Sequence, residues 1–347
     1  MMLRWQVRFA RGDLFWSVAS IAVLLVVVAI AVDRWLPEVR DGRYALRESR
    51  LLARLAATPS APLVLVLGSS RTETGLRADS LGKNLTDTEA VVFNFGLASA
   101  GPMVELVCLR RLLARGIHPD LLLIEVIPAQ CHLAGGRPME EVMLYRNRLS
   151  ASEARFLMRY HSQPRRLAAR WCLDRLSPTM YRAELHEALL LDRSRMPAAD
   201  AAPDWGGWAP SIREVSPEQR RLYTALARDQ YDEACADARV AGGTQRALQD
   251  LLKLCKRERI PAALLLMPEA STFRALYSAA AEASLYKLLQ ELVAEYGVSV
   301  VDARLWVDDD GFWDGHHLLP GGAAVFTERF GREALTPMLR QMRRGYW

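Results

Sequence analysis

The sequence predicts an α/β protein in which a doubly wound, five-stranded parallel sheet carries a helical insertion and follows one N-terminal transmembrane helix. Three observations lead there. Five short apolar runs, LVLVL (63–67), AVVFNF (90–95), LLLIEVI (121–127), AALLLM (262–267) and VSVV (298–301), have strand length and barely alternate. Strands apolar on both faces, with helical patterns between them, read as a parallel sheet covered on both sides. The third observation is a stretch of nineteen residues without a charge, from Leu14 to Val32.

That stretch, LFWSVASIAVLLVVVAIAV, lies between Asp13 and Asp33, with Trp16 and Trp35 near its ends. At the rise of an α-helix it spans roughly 28 Å, close to a hydrocarbon core. The tryptophans suit the two interfaces. A cleaved signal peptide is the competing reading, because Ala29-Ile30-Ala31 offers small residues after a basic start. The uncharged run is long for a signal peptide, so an anchor is preferred. The expected organisation is a short cytoplasmic tail (1–13), the span (14–32), a linker with an amphipathic helix (33–61) and the α/β domain (62–347), interrupted by the helical insertion at 135–240.

The net charge of +5 is concentrated near the span: residues 1–56 hold nine Arg and five acids, a surplus of four. Attraction to anionic headgroups explains this placement. No basic stripe interleaved with aromatics follows, so no nucleic-acid partner is expected. Arginines lie on both sides of the span, and their count alone does not orient it. The five Cys at 108, 131, 172, 235 and 255 show no C-x-x-C and no Cys/His pairing at ligand spacing. No metal is expected, and most of these thiols read as small buried hydrophobes.

The insertion contains SASEARFLMRYHSQPRRLAARWCLDRL and SPEQRRLYTALARDQYDEACADARV, separated by a Pro/Gly/Trp loop, AAPDWGGWAPS (201–211). Trp205 and Trp208 of that loop read as simple packing more readily than as the cover of a sugar cleft.

In an open parallel sheet, ligand chemistry gathers at the carboxyl ends of the strands. The first run ends in Gly68-Ser69-Ser70-Arg71-Thr72 and the second in Asn94-Phe95-Gly96. The third ends in Pro128-Ala129-Gln130, the fourth in Pro268-Glu269, and the fifth precedes Asp314-Gly315-His316-His317. A serine becomes a nucleophile when a base within hydrogen-bond reach takes its proton and a third group orients the base. Ser70, His317 and Asp314 supply those three types. The D-x-x-H spacing lets one turn present carboxylate and imidazole together. Backbone N–H groups at Ser70 and Gly96 are the expected oxyanion donors, the glycine allowing close substrate approach. Arg71 and Glu269 are candidate substrate contacts, although Arg71 more readily pairs within the sheet. Glu125, inside an apolar run, requires a partner such as an Arg if it does not line the site. His316 is expected on the surface, and His118, His132, His161 and His186 read as structural.

LVLVLGSSRT, FNFGLASAG and DGHHLLPGGA together resemble blocks of the SGNH (GDSL-like) hydrolase superfamily, over roughly residues 62–335 without the insertion. The resemblance implies a flavodoxin-like sheet, Ser70 as nucleophile, Gly96 at an oxyanion-hole position, and Asp314 and His317 as the remaining pair. No cofactor is implied. The third block departs from the pattern: IEVIPAQ replaces the usual G-x-N-D, leaving Gln130 as the substitute for the oxyanion-hole Asn. The GSS variant with a single N-terminal span is similar to the subset containing teichoic-acid D-alanylation and alginate O-acetylation proteins. That likeness implies a serine esterase or O-acyltransferase working on acyl esters of a cell-envelope glycopolymer. It further implies a membrane-bound O-acyltransferase partner and a bacterial inner-membrane location, the C-terminal domain being periplasmic or extracellular. The alternative it leaves is an inactive scaffold or binding subunit of an envelope-polymer assembly.

Overall fold

The computed structural model describes residues 2–84, 90–145, 148–175 and 203–344. Five parallel strands form the sheet: β1 (Leu63–Gly68), β2 (Val91–Gly96), β3 (Leu121–Glu125), β4 (Ala262–Leu266) and β5 (Ser299–Asp302). Their spatial order is β2-β1-β3-β4-β5. The chain runs outward from β1 to β2, then returns to place β3 on the other side of β1. A crevice therefore opens beyond the carboxyl ends of β1 and β3, where ligands of such sheets bind.

Successive residues of each strand point to opposite faces; β1 to β4 are buried on both, whereas the edge strand β5 exposes Ser299 and Asp302. On one face, Val64, Val66, Val92, Leu123 and Leu265 pack with Phe326 and Phe330 of the helix Pro320–Phe330. On the other, Leu65, Leu67, Leu122 and Ile124 are equally inaccessible. The helices Pro102–Ala114 and Gly242–Glu258 pack together and bury Leu106, Leu109, Leu248 and Leu251. Each such side chain contributes about 1.5–3 kcal/mol by leaving water, so the apolar runs account for the sheet.

The described residues form two compact units. The first takes the chain up to Leu46 together with segments around Tyr145–Arg159 and onward from Gln163. Its helix Met2–Trp35 is long and apolar enough to cross a membrane, with a mean hydropathy of 2.7 over its best window. At the end of that helix Asp33 lies 3.0 Å from the Arg175 guanidinium. Asp33 also accepts the Ala151 N–H at 3.3 Å, at the start of the helix Ala151–Leu157. The insertion thus contributes helices to this unit; its residues 176–202, including His186, lie outside the described residues.

The second unit begins at Arg47, within the helix Gly42–Ala57. Arg47 is 1% exposed, pairs with Glu73 at 2.6 Å and donates to the carbonyls of Asn94 and Gly207. Hence the second half of the expected linker helix is part of the α/β unit. The Gly/Trp loop covers the free edge of β2: Asn94 N–H donates to Gly206 O at 2.8 Å, and Trp208 Nε1 donates to Thr74 O. An edge strand covered in this way is removed as a template for aggregation.

Gly207 has φ 91°, and a Cβ there would stand 2.1 Å from Asn94 O. Gly207→Ala is expected to destabilise the protein by on the order of 1–3 kcal/mol through this strained backbone, measured as a lower midpoint in denaturant unfolding.

Candidate active site

Ser70 is the first residue of a short helix, Ser70–Gly75, that starts immediately after β1. Ser69 caps it, its hydroxyl accepting the Arg71 N–H at 3.0 Å. The sharp strand-to-helix turn requires Gly68, where a Cβ would meet Thr72 Oγ1 at 2.2 Å and Glu125 Oε2 at 2.5 Å. Glu125 fixes the turn from β3: its Oε2 accepts the Ser69 N–H and the Thr72 hydroxyl, both at 2.7 Å. Asn94 fixes it from β2, donating through Nδ2 to Thr72 O at 2.7 Å and Leu76 O at 2.8 Å.

Asp314 and His317 lie on a tight turn after β5, closed by Trp313 N–H donating to His317 O at 3.1 Å, with Gly315 at φ 95°. A left-handed residue is needed for the chain to reverse in that space, and glycine supplies it without steric penalty. Asp314 Oδ1 accepts the N–H groups of His316 (3.0 Å) and His317 (2.8 Å), and Oδ2 lies 2.6 Å from His317 Nδ1. His317 Nε2 is 2.8 Å from Ser70 Oγ. Ser70, His317 and Asp314 therefore form one continuous hydrogen-bonded chain. Burial pushes the Asp314 carboxyl up, but His317, His316 and their N–H groups outweigh it and hold the group well below the usual carboxylate range. Its charge is fixed, and it favours the imidazole tautomer that donates from Nδ1 and accepts at Nε2.

Aromatic rings brace the imidazole. Trp313 stacks on His317 with centroids 5.1 Å apart and planes at 11°. The helix Pro217–Ala236, at the end of the insertion, sets Tyr223 edge-on to Trp313 at 5.2 Å and Tyr231 edge-on to His316 at 5.1 Å. His316 is not on the surface as expected: it is 5% exposed, lodged between Phe273, Tyr231 and His317. Burial, and then the neighbouring His317, keep its pKa well below the usual imidazole value. Asp314, His316 and His317 also place three ligand atoms within 4.8 Å of one another. Both ring nitrogens of His317 are already engaged, Nδ1 with Asp314 and Nε2 with Ser70.

Gly96 does something other than line a substrate path. A Cβ on it would strike Glu73 N at 2.4 Å and Ser69 O at 2.8 Å, so its missing side chain admits the helix that carries Ser70. Its N–H is given to Asn94 Oδ1 at 2.9 Å, which removes it as a free oxyanion donor. The N–H of Ser70 belongs to the first helical turn, where backbone donors lack intrahelical partners. Gln130, 1% exposed, turns its amide oxygen toward Gly101 and the Glu140 carboxyl and makes no hydrogen bond to Ser70 or His317.

Arg71 and Glu269 are also reassigned. They are 3% and 0% exposed and lie 3.1 Å apart, and Arg71 further donates to the carbonyls of Met267 and Pro268 at 3.1 Å each. Arg71 Nε is 3.8 Å from Glu125 Oε1, and Tyr277 donates to Glu269 at 3.0 Å. The guanidinium is 3% exposed and these hydrogen bonds all run to the strand ends around it. Asn94 and Trp313 escaped the sequence reading, although a polar residue inside an apolar run was a usable signal for Asn94, as it was for Glu125.

Two further carboxyls, Glu105 and Glu140, are buried in the protein interior, Glu140 facing Gly101 as Gln130 does, and four of the five Cys are buried free thiols. Burial pushes Glu105 well above its ordinary value and Glu140 to about 7. Glu140 accepts the Met103 N–H at 2.6 Å at the start of the helix Pro102–Ala114.

Arg71→Met would strand two buried carboxylates and is expected to destabilise the fold by about 3–5 kcal/mol, read from chemical denaturation. For Glu140 the folded state holds a proton that the unfolded chain releases near pH 4.5. Stability from this group is therefore full below that value and falls as pH rises through about 7. Glu140→Gln keeps an acceptor for Met103 and removes the titration. Its stability relative to wild type should rise by on the order of 3 kcal/mol between pH 4 and pH 8.

Residues 38–160 match a family described only as a protein of unknown function (DUF1574). No curated protein matches the sequence. Among solved structures, the chain is similar to a Bacteroides fragilis protein provisionally described as an acylhydrolase. The two are 13% identical, with a TM-score of 0.38, over 86% of this chain and 98% of the other.

Proposed function

We propose that the protein is a membrane-anchored serine esterase or O-acyltransferase of the SGNH type, with Ser70 as nucleophile, His317 as general base and Asp314 as the group that orients and stabilises the imidazole. The observation that carries this reading is the chain Ser70 Oγ, His317 Nε2, His317 Nδ1, Asp314 Oδ2, with separations of 2.8 and 2.6 Å. His317 Nε2 takes the hydroxyl proton as Ser70 Oγ attacks an ester carbonyl carbon. The proton then passes to the departing alkoxide as the C–O bond breaks, leaving an acyl-serine. Water or a sugar hydroxyl, deprotonated by the same nitrogen, releases the acyl group. The Ser70 N–H, in the first turn of its helix, donates to the developing oxyanion.

The apolar helix and the GSS variant favour an acyl ester of a cell-envelope polysaccharide as substrate, handled in concert with a membrane-bound O-acyltransferase. Gly96's committed N–H and the absence of a third-block Asn favour the second reading, an inactive scaffold subunit of such an assembly.

Fluorophosphonate labelling separates the two. The full-length wild type should be labelled, Ser70→Ala should not, and Asp314→Asn should slow labelling and ester turnover by roughly 10³–10⁴-fold by upsetting the imidazole tautomer. Unlabelled wild type, or labelling that persists in Ser70→Ala, would sink the enzyme reading.

A further inference from the structure

The near-neutral charge of the chain beyond its first segment conceals a local surplus. Residues 328–344 hold five Arg (329, 332, 340, 343, 344) and two Glu (328, 333). This segment forms one wall of a cavity of about 730 Å³, within the usual range for small-molecule sites. Arg77, Arg332 and Arg340 line it together with Glu328, Thr327, Leu81 and Ala324.

The three arginines come from separate places in the fold. Arg77 follows the helix Ser70–Gly75, its N–H donating to Thr327 Oγ1 at 3.0 Å and its guanidinium lying 5.0 Å from the Trp208 ring centroid. Arg332 belongs to a π-helical turn, Gly331–Leu335, and Arg340 to the following helix, Thr336–Arg343. Such π turns are rare and concentrate at functional sites. This one is accommodated by Gly331, where a Cβ would meet Leu81 at 2.7 Å, and by the Thr336 hydroxyl, which donates to the Gly331 carbonyl. The ion pairs of Arg332 with Glu328 (3.8 Å) and Glu333 (3.1 Å) are exposed, so an incoming anion can displace them readily.

We propose that this cavity binds a phosphoryl group carried on a small polyol or sugar, at a site separate from Ser70. Three arginines from separate elements in one lining can supply the several donors that a tetrahedral anion with multiple non-bridging oxygens accepts. A planar carboxylate is satisfied by one bidentate arginine. With three arginines against one glutamate in its lining, the cavity carries a net positive charge, which concentrates such anions from solution. Its volume exceeds that of a bare phosphate, and Leu81 and Ala324 in the lining suit the carbon skeleton of an ester.

The test is titration of the full-length, detergent-solubilised protein with glycerol 3-phosphate and, separately, with short-chain phosphatidylglycerol, using acetate as the carboxylate control. Saturable binding of either phosphate ester is expected, weakening tenfold or more in the Arg332→Gln/Arg340→Gln double variant and unchanged in Arg257→Gln, which lies outside the cavity. Preference for the lipid identifies a headgroup as the source; preference for the free ester identifies a soluble one. Thermal melting of the double variant within a few degrees of wild type shows that lost binding is local. Should that variant melt early, the single variants Arg332→Gln and Arg340→Gln are measured instead, each expected to weaken binding severalfold. No saturable binding of either ester, equal binding of acetate, or an unchanged affinity in the arginine variants overturns the proposal.

Discussion

The geometry around Ser70 depends on the buried guanidinium of Arg71. A charge 3% exposed needs compensating partners, and Arg71 donates to Glu269 and two backbone carbonyls while Glu125 lies 3.8 Å from its Nε. These partners sit at the ends of β3 and β4, while Arg71 itself follows β1 by three residues. Satisfying one cation therefore sets the relative positions of three strand ends. The restraint extends to the imidazole, because Ala270, next to Glu269, donates its N–H to Gly315 O at 2.8 Å within the turn that holds Asp314 and His317. Lysine, with a single ammonium, could not span the same set of acceptors.

The carboxyl groups of this unit show how surroundings divide one chemical type into opposite states. Asp314 and Glu140 are both buried, and burial alone raises both. Asp314 is returned to the ionised state by two imidazoles and two backbone N–H groups. Glu140 has backbone donors at a helix start but no cation, and burial prevails. The ionised group is the one hydrogen-bonded to His317, where a fixed negative charge stabilises a positive imidazole. The neutral-leaning group stands away from that chain of hydrogen bonds, beside Gln130 and Gly101.

Much of this was legible in the sequence because it is local. All five apolar runs became strands, displaced by no more than two residues; the four that are buried on both faces leave a continuous apolar record, and the edge strand β5 a shorter one. The meeting of Ser70 with Asp314 and His317 followed from their positions at strand ends, together with a three-residue spacing that one turn can close. What escaped was set by partners distant in the chain. The burial of His316 depends on Tyr231 and Phe273, and the enclosure of Arg71 on Glu269, 198 positions away. The role of Gly96 depends on the backbone of Ser69 and Glu73, which no pattern around FNFG reveals. The arginines of the last helices were hidden by averaging charge over a long segment.

Asn94 and Glu125 show which sequence signal was underused. Each interrupts an apolar run near the carboxyl end of a strand, and those strands, β2 and β3, flank β1 on its two sides. A polar side chain in such a place must find fixed partners, because leaving it unsatisfied costs about 1–3 kcal/mol or more. The nearest backbone that can supply them is the chain leaving the central strand. Asn94 accordingly takes Thr72 O and Leu76 O, and Glu125 takes the Ser69 N–H and the Thr72 hydroxyl. The same short helix is gripped from both sides, and its first residue is Ser70. Two polar residues in the strands beside β1 therefore mark where the backbone after β1 is tied down from both sides, which is the requirement for a side chain that must stay within hydrogen-bond reach of a base on another loop.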